Sequence, residues 1–219
     1  MELVVKPIRT DLVYQIFFKE SALELAKEES RISLISKILK AFGLRLNDIK
    51  SNNETASNDY IHFSRFYGPS FFDVAFGLEE VSATLQTPQN EAQVVDLYGR
   101  LFQVFEKRPI SFQKMTIRRQ LSTVGDATSF LKSLNPHSPD NFEKLLHGRG
   151  VYYSLKIPEH ELTIFITLVD SLFVEGGLYL SVENQFLPNL YDFENAFKIT
   201  KDHYDFILKG LNLNIEEET

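Results

Sequence analysis

Between Arg100 and Gln120 the chain collects Arg100, Lys107, Arg108, Lys114, Arg118 and Arg119 against one acid, Glu106. The whole chain carries a net charge of −7, so this short stretch runs against its average. Side chains alternate across a strand. In KMTIRRQLST (114–123), Lys114 and Arg118 therefore fall on one side, and Met115, Ile117 and Leu121 on the other. A guanidinium presents a planar fork of donors that matches carboxylate and phosphate oxygens. Lys114, Arg118 and Arg108 are accordingly the candidate anion-binding residues. Internal pairing with some of the 30 acids is the competing role. Arg119 is in phase with the apolar side. Stranding a charge there costs several kcal/mol as a rough scale, so a carboxylate partner is expected.

Other polar groups carry weaker chemistry. His62 and Arg65 in YIHFSRFY are three apart, which puts them on opposite faces of a strand. Glu159, His160 and Glu161 in PEHELT read as a solvated hairpin turn. Asp202, His203 and Asp205 in TKDHYD read as the first turn of a helix, where acids meet the positive end of the dipole. Gly176-Gly177 is followed by apolar residues that continue as a strand. A phosphate loop needs a helix N-terminus there, so a tight turn or bulge is the better reading. No nucleophile elbow, P-loop or zincin motif occurs. No metal site or cofactor is expected, and the catalytic residues are unknown. The absence of cysteine excludes disulfides and thiol catalysis and suits a reducing cytosol.

The elements that position these groups follow from periodicity. The pattern predicts strands over 12–18, 60–67, 71–78 and 80–87. It places helices after the first strand, with Ile32, Ile35, Leu39 and Phe42 as a stripe, and over 90–107, with Asn90 as N-cap. A strand over 112–121 follows, then helical pieces at 126–134 and 140–147. Strands over 151–157, 161–169 and 173–184 come next, and a helix over 201–211 ends the series. Residues 51–59 and 135–139 read as loops. Connections at 68–70 and 158–161 are too short for parallel crossovers. The expected fold is α+β, a broad antiparallel sheet with helices packed on one face. The order strand, helix, three strands, helix occurs twice, which suggests an internal duplication with units at 1–109 and 110–219 in one fold.

Three stretches, KPIRTDLVYQIFF, FQKMTIRRQLST and GGLYLSVENQF followed by ITKDHYDFILKGL, resemble a sporadically distributed family of uncharacterised prokaryotic proteins. The resemblance implies a cytosolic α+β protein of unknown activity and brings no site residues. Adjacent aromatics (Phe17-Phe18, Phe71-Phe72, Tyr152-Tyr153) must split between the two faces of their strands. An aromatic outer face suits an oligomer interface or ligand cleft. The leading expectation is a non-catalytic cytoplasmic binding or assembly module with a protein partner or a second copy. The alternatives are an enzyme acting on a small anionic or phosphorylated substrate, and nucleic-acid binding through 100–120, which the acidic total disfavours. No apolar run reaches the length of a membrane span, so no membrane partner is expected.

Overall fold

Alternation of buried and more exposed residues shapes many of the strands of this chain. The computed structural model describes residues 2–51, 59–104, 109–135, 149–158, 162–187 and 192–216. Its elements run β1 (Leu3–Phe18), α1 (Glu28–Phe42), β2 (Ile49–Ser51), β3 (Asp59–Tyr67), β4 (Ser70–Gly77), β5 (Glu80–Gln86) and α2 (Glu91–Val104), followed by β6 (Ile110–Val124), α3 (Ala127–Leu134), β7 (Gly150–Ile157), β8 (Leu162–Asp170), β9 (Leu178–Phe186), α4 (Phe193–Gly210) and β10 (Leu213–Ile215). Hydrogen bonding joins the strands in the order β2-β3-β4-β5-β1-β6-β9-β8-β7. β10 pairs in parallel with the first residues of β1. The expected antiparallel α+β architecture is therefore present.

Contacts along the main chain define two units. One comprises residues 11–115 and 186–197, the other residues 1–10, 116–185 and 198–219. In the first, antiparallel registers line up Phe63 with Val74, Val74 with Ala83, and Ala83 with Tyr14. That row and its neighbours Ile61, Phe72, Phe76, Val81, Leu85, Leu12 and Ile16 are buried. The helices cover this face. Phe42 of α1 packs on Phe63 and Phe72, and Tyr98 of α2 packs edge-on against Phe72 and Tyr14. The Tyr98 hydroxyl donates to the Leu12 carbonyl at 2.6 Å. Asn90 caps α2, its Oδ1 accepting the Gln93 N–H at 2.9 Å. Gly43 ends α1 at φ 59°, a left-handed conformation that glycine adopts without a Cβ penalty.

In the second unit β8 buries Leu162, Ile164, Ile166 and Leu168, and β9 buries Leu178, Leu180, Val182 and Asn184. α3 and α4 pack in this unit, with Phe130, Tyr204, Ile207 and Leu211 buried. Asp126 caps α3 by accepting the Ser129 N–H.

Several boundaries differ from the periodic reading. β1 begins at Leu3, because β10 supplies a partner for its first residues. α4 begins at Phe193, where Asp192 Oδ1 accepts the Asn195 N–H at 2.8 Å. Asp202, His203 and Asp205 therefore lie mid-helix and not in a first turn. β9 starts at Leu178 and not at 173, because Ser171–Gly177 closes a turn with the Ser171 N–H on the Gly177 carbonyl at 2.9 Å. α1 buries Ile38 and Phe42 and leaves Ile32 exposed, so its apolar stripe is shifted. The helical piece at 140–147 lies outside the described residues, as do Glu159, His160 and Glu161.

Candidate anion-binding site

Three elements of the second unit converge on one polar cluster. On β6, Arg119 shares a side with Met115, Ile117 and Leu121, which are all buried. On β9, Asn184 continues the buried row of Leu178, Leu180 and Val182. β6 and β9 are neighbours in the sheet. On α4, Thr200, His203 and Tyr204 stand at helical spacing and so share a face. The Arg119 guanidinium lies over the Tyr204 ring, 4.9 Å from its centroid. His203 Nδ1 meets Asn184 Oδ1 at 2.8 Å.

Four atoms of this cluster are buried without a well-formed hydrogen bond to any described residue, although the Arg119 guanidinium lies close enough to the Tyr204 hydroxyl to act on its titration. They are Arg119 Nε, Asn184 Nδ2, Thr200 Oγ1 and Tyr204 Oη. Thr200 and Asn184 are fully buried at 0% exposure, and Tyr204 is at 3%. All four can donate, and the two nitrogens can only donate. Burial pushes the Tyr204 phenol up to about 12, with the nearby Arg119 guanidinium acting in the opposite direction. Tyr204 is thus a protonated donor at neutral pH. A buried donor left unmatched costs about 1–3 kcal/mol, and a set of them beside a cation is matched best by an acceptor carrying negative charge. The arrangement can bind a small oxyanion. The described residues contain no group of three side chains suited to hold a metal ion.

The residues expected from sequence are distributed differently. Lys114 Nζ lies 5.8 Å from the centroid of the Phe17 ring, which stacks on Phe112 at 4.2 Å. Arg118 is exposed. Lys114 and Arg118 fall in different units, and Arg108 lies outside the described residues. Arg100 takes the competing role, with Nη2 on Asp96 at 2.7 Å and Nε on the same carboxylate at 2.9 Å. Arg119 does face the apolar side, and among the described residues it lies over the Tyr204 ring with no carboxylate paired to it. The physical reason is that α4 covers this face and offers an aromatic there, whose π face attracts the cation.

His62 and Arg65 diverge, as strand alternation requires. Arg65 Nη1 donates to the carbonyls of Phe42 and Gly43, at 2.6 and 2.7 Å, and so caps the end of α1. His62 Nε2 instead meets Asp73 Oδ1 at 2.8 Å. Asp73 sits opposite Ser64 in register, so this pair is diagonal across β3 and β4.

Sequence reasoning missed Asn184, Thr200 and Tyr204 as site residues. One signal was available, because Asn184 interrupts the apolar side of LYLSVENQF just as Arg119 interrupts that of KMTIRRQLST. What links the two interruptions is α4, whose adjacent His203 and Tyr204 meet Asn184 and Arg119. A scan against protein-family models and a search of curated proteins find no match to this chain.

Proposed function

We propose that this protein is a non-catalytic cytoplasmic binding module that takes up a small anionic ligand, a carboxylate or phosphate, beneath α4. The observation that supports it is the set of four buried donor atoms, Arg119 Nε, Asn184 Nδ2, Thr200 Oγ1 and Tyr204 Oη, without a well-formed hydrogen bond to an acceptor among the described residues. Binding and release need no general base. A second reading, an enzyme acting on a small anionic substrate, draws support from His203, whose ring is held in the same cluster by Asn184. Nucleic-acid binding draws less support. Of the basic residues in 100–120, Arg100 is paired with Asp96 and Arg119 is turned toward Tyr204.

Thermal melts test the proposal. The wild type is heated with and without inorganic phosphate, acetate or a short oligonucleotide, beside Arg119→Met and Arg118→Ala. A ligand at about 100 times its Kd stabilises by about 2.7 kcal/mol. The expected result is a shift with phosphate or acetate in the wild type and Arg118→Ala, and none in Arg119→Met. The absence of any shift in the wild type refutes the site. A shift lost only in Arg118→Ala moves recognition to the exposed side of β6. Stabilisation by the oligonucleotide alone supports the nucleic-acid reading.

A further inference from the structure

β7 closes the strand order at one end and pairs with β8 alone among the described residues. Its register sets Val151 against Leu168, Tyr153 against Ile166, Leu155 against Ile164 and Ile157 against Leu162. Just before it, the Asp170 N–H donates to the Arg149 carbonyl at 3.0 Å, and these two residues continue the same register. Antiparallel ladders alternate, so Val151, Tyr153, Leu155 and Ile157 exchange their main-chain bonds with β8. The N–H and C=O groups of Gly150, Tyr152, Ser154 and Lys156 then point away from the sheet. This edge is 8 residues long. Protein edges are ordinarily blunted by proline, bulges, inward-pointing charges, several edge charges such as lysines, or a covering helix or loop. β7 contains no proline, keeps its register with β8 without a shift, and carries Lys156 as its only charge. Tyr152 is 62% exposed, and Tyr153 and Ser154 are also exposed.

The side-chain order of β7 is complementary to itself when read antiparallel. We infer that β7 is a homodimerisation edge that pairs antiparallel with β7 of a second copy, with Ser154 on the two-fold axis. In that register Tyr153 faces Leu155 of the other copy, and Val151 faces Ile157. These four lie on the side of β7 that also carries the apolar partners from β8. On the opposite side Tyr152 faces Lys156, an aromatic against a cation, and Ser154 faces Ser154. No like charges meet. The pairs made by Tyr152, Ser154 and Lys156 supply about six main-chain hydrogen bonds. Pro158 has no N–H and ends the donor row. Edge pairing of this kind takes its affinity from the main chain and its register from the alternating side chains.

The chain has no cysteine, so introduced thiols report without background. Residues opposite one another in a hydrogen-bonded antiparallel pair have Cα atoms about 5.5 Å apart, within disulfide range. Light scattering across a concentration series is expected to show a dimer for the wild type. Ser154→Lys places like charges on the axis and is expected to give a monomer with an unchanged melting curve at low concentration. Ser154→Cys is expected to form a covalent dimer under mild oxidation. A wild type that stays monomeric at about 100 times the concentration of a typical micromolar interaction overturns the inference. A dimer that survives Ser154→Lys also overturns it. Cross-linking through Tyr153→Cys in place of Ser154→Cys overturns the register.

Discussion

Replacing Thr200 by valine deletes one hydroxyl and keeps the branched shape. Thr200 is fully buried on α4, and its Oγ1 has no partner from the protein. Threonine and valine are both β-branched and have similar helix propensities, so propensity does not offset the other terms. The main term is the desolvation of an unmatched hydroxyl, about 1–3 kcal/mol. In a buffer free of oxyanions Thr200→Val should therefore raise stability by about 1 kcal/mol. For a chain of this length that corresponds to a melting shift of about 2–4 °C upward. The same substitution removes one donor from the cluster, so the stabilisation by phosphate or acetate should shrink. Differential scanning calorimetry with and without the anion reads both effects. A loss of about 1 kcal/mol or more in the oxyanion-free buffer would refute the reasoning, because it would mean that the hydroxyl is already well matched there.

Alkali should destabilise the protein through its buried phenols. Tyr204 is raised to about 12, while Tyr14 and Tyr98 are raised further, all chiefly by burial. The folded state keeps these protons where the unfolded chain, near 10, has lost them. Their contribution is complete below pH 10 and is lost as pH rises toward the folded values, with Tyr204 alone accounting for about 2 kcal/mol by pH 12. Denaturant melts at pH 9 and pH 11.5 check this, and equal stabilities at the two would contradict it. Gly177→Ala should destabilise by about 1–3 kcal/mol through overpacking. The added Cβ would come within 2.4 Å of the Leu121 carbonyl oxygen and 2.6 Å of Val174 Cγ1. A chemical-denaturation midpoint equal to that of the wild type would show that this turn yields.

Much of the architecture follows from local pattern. The alternation in SFFDVAFG and EVSATLQ determines one buried side, because a strand turns successive side chains to opposite faces. The short links at 68–70 and 158–161 determine antiparallel neighbours. The phase of Arg119 against Met115, Ile117 and Leu121 was legible for the same reason, and so was the exposure of Arg118. Tertiary structure decided everything that depends on which surfaces meet. Asp192 and Asp126 are both caps, but a helix start ahead of a weak apolar stripe carries little local signal, so periodicity places the start of α4 eight residues late. Among the described residues Arg119 meets an aromatic, because what it meets depends on what α4 lays over β6. Arg119, Asn184, Thr200 and Tyr204 are scattered over 119–204 and share a cluster only through the pairing of β6 with β9 and the packing of α4. Spacing along a chain predicts the face of an element. It cannot predict the element opposite, since that is settled by the total burial of the core and not by any one segment.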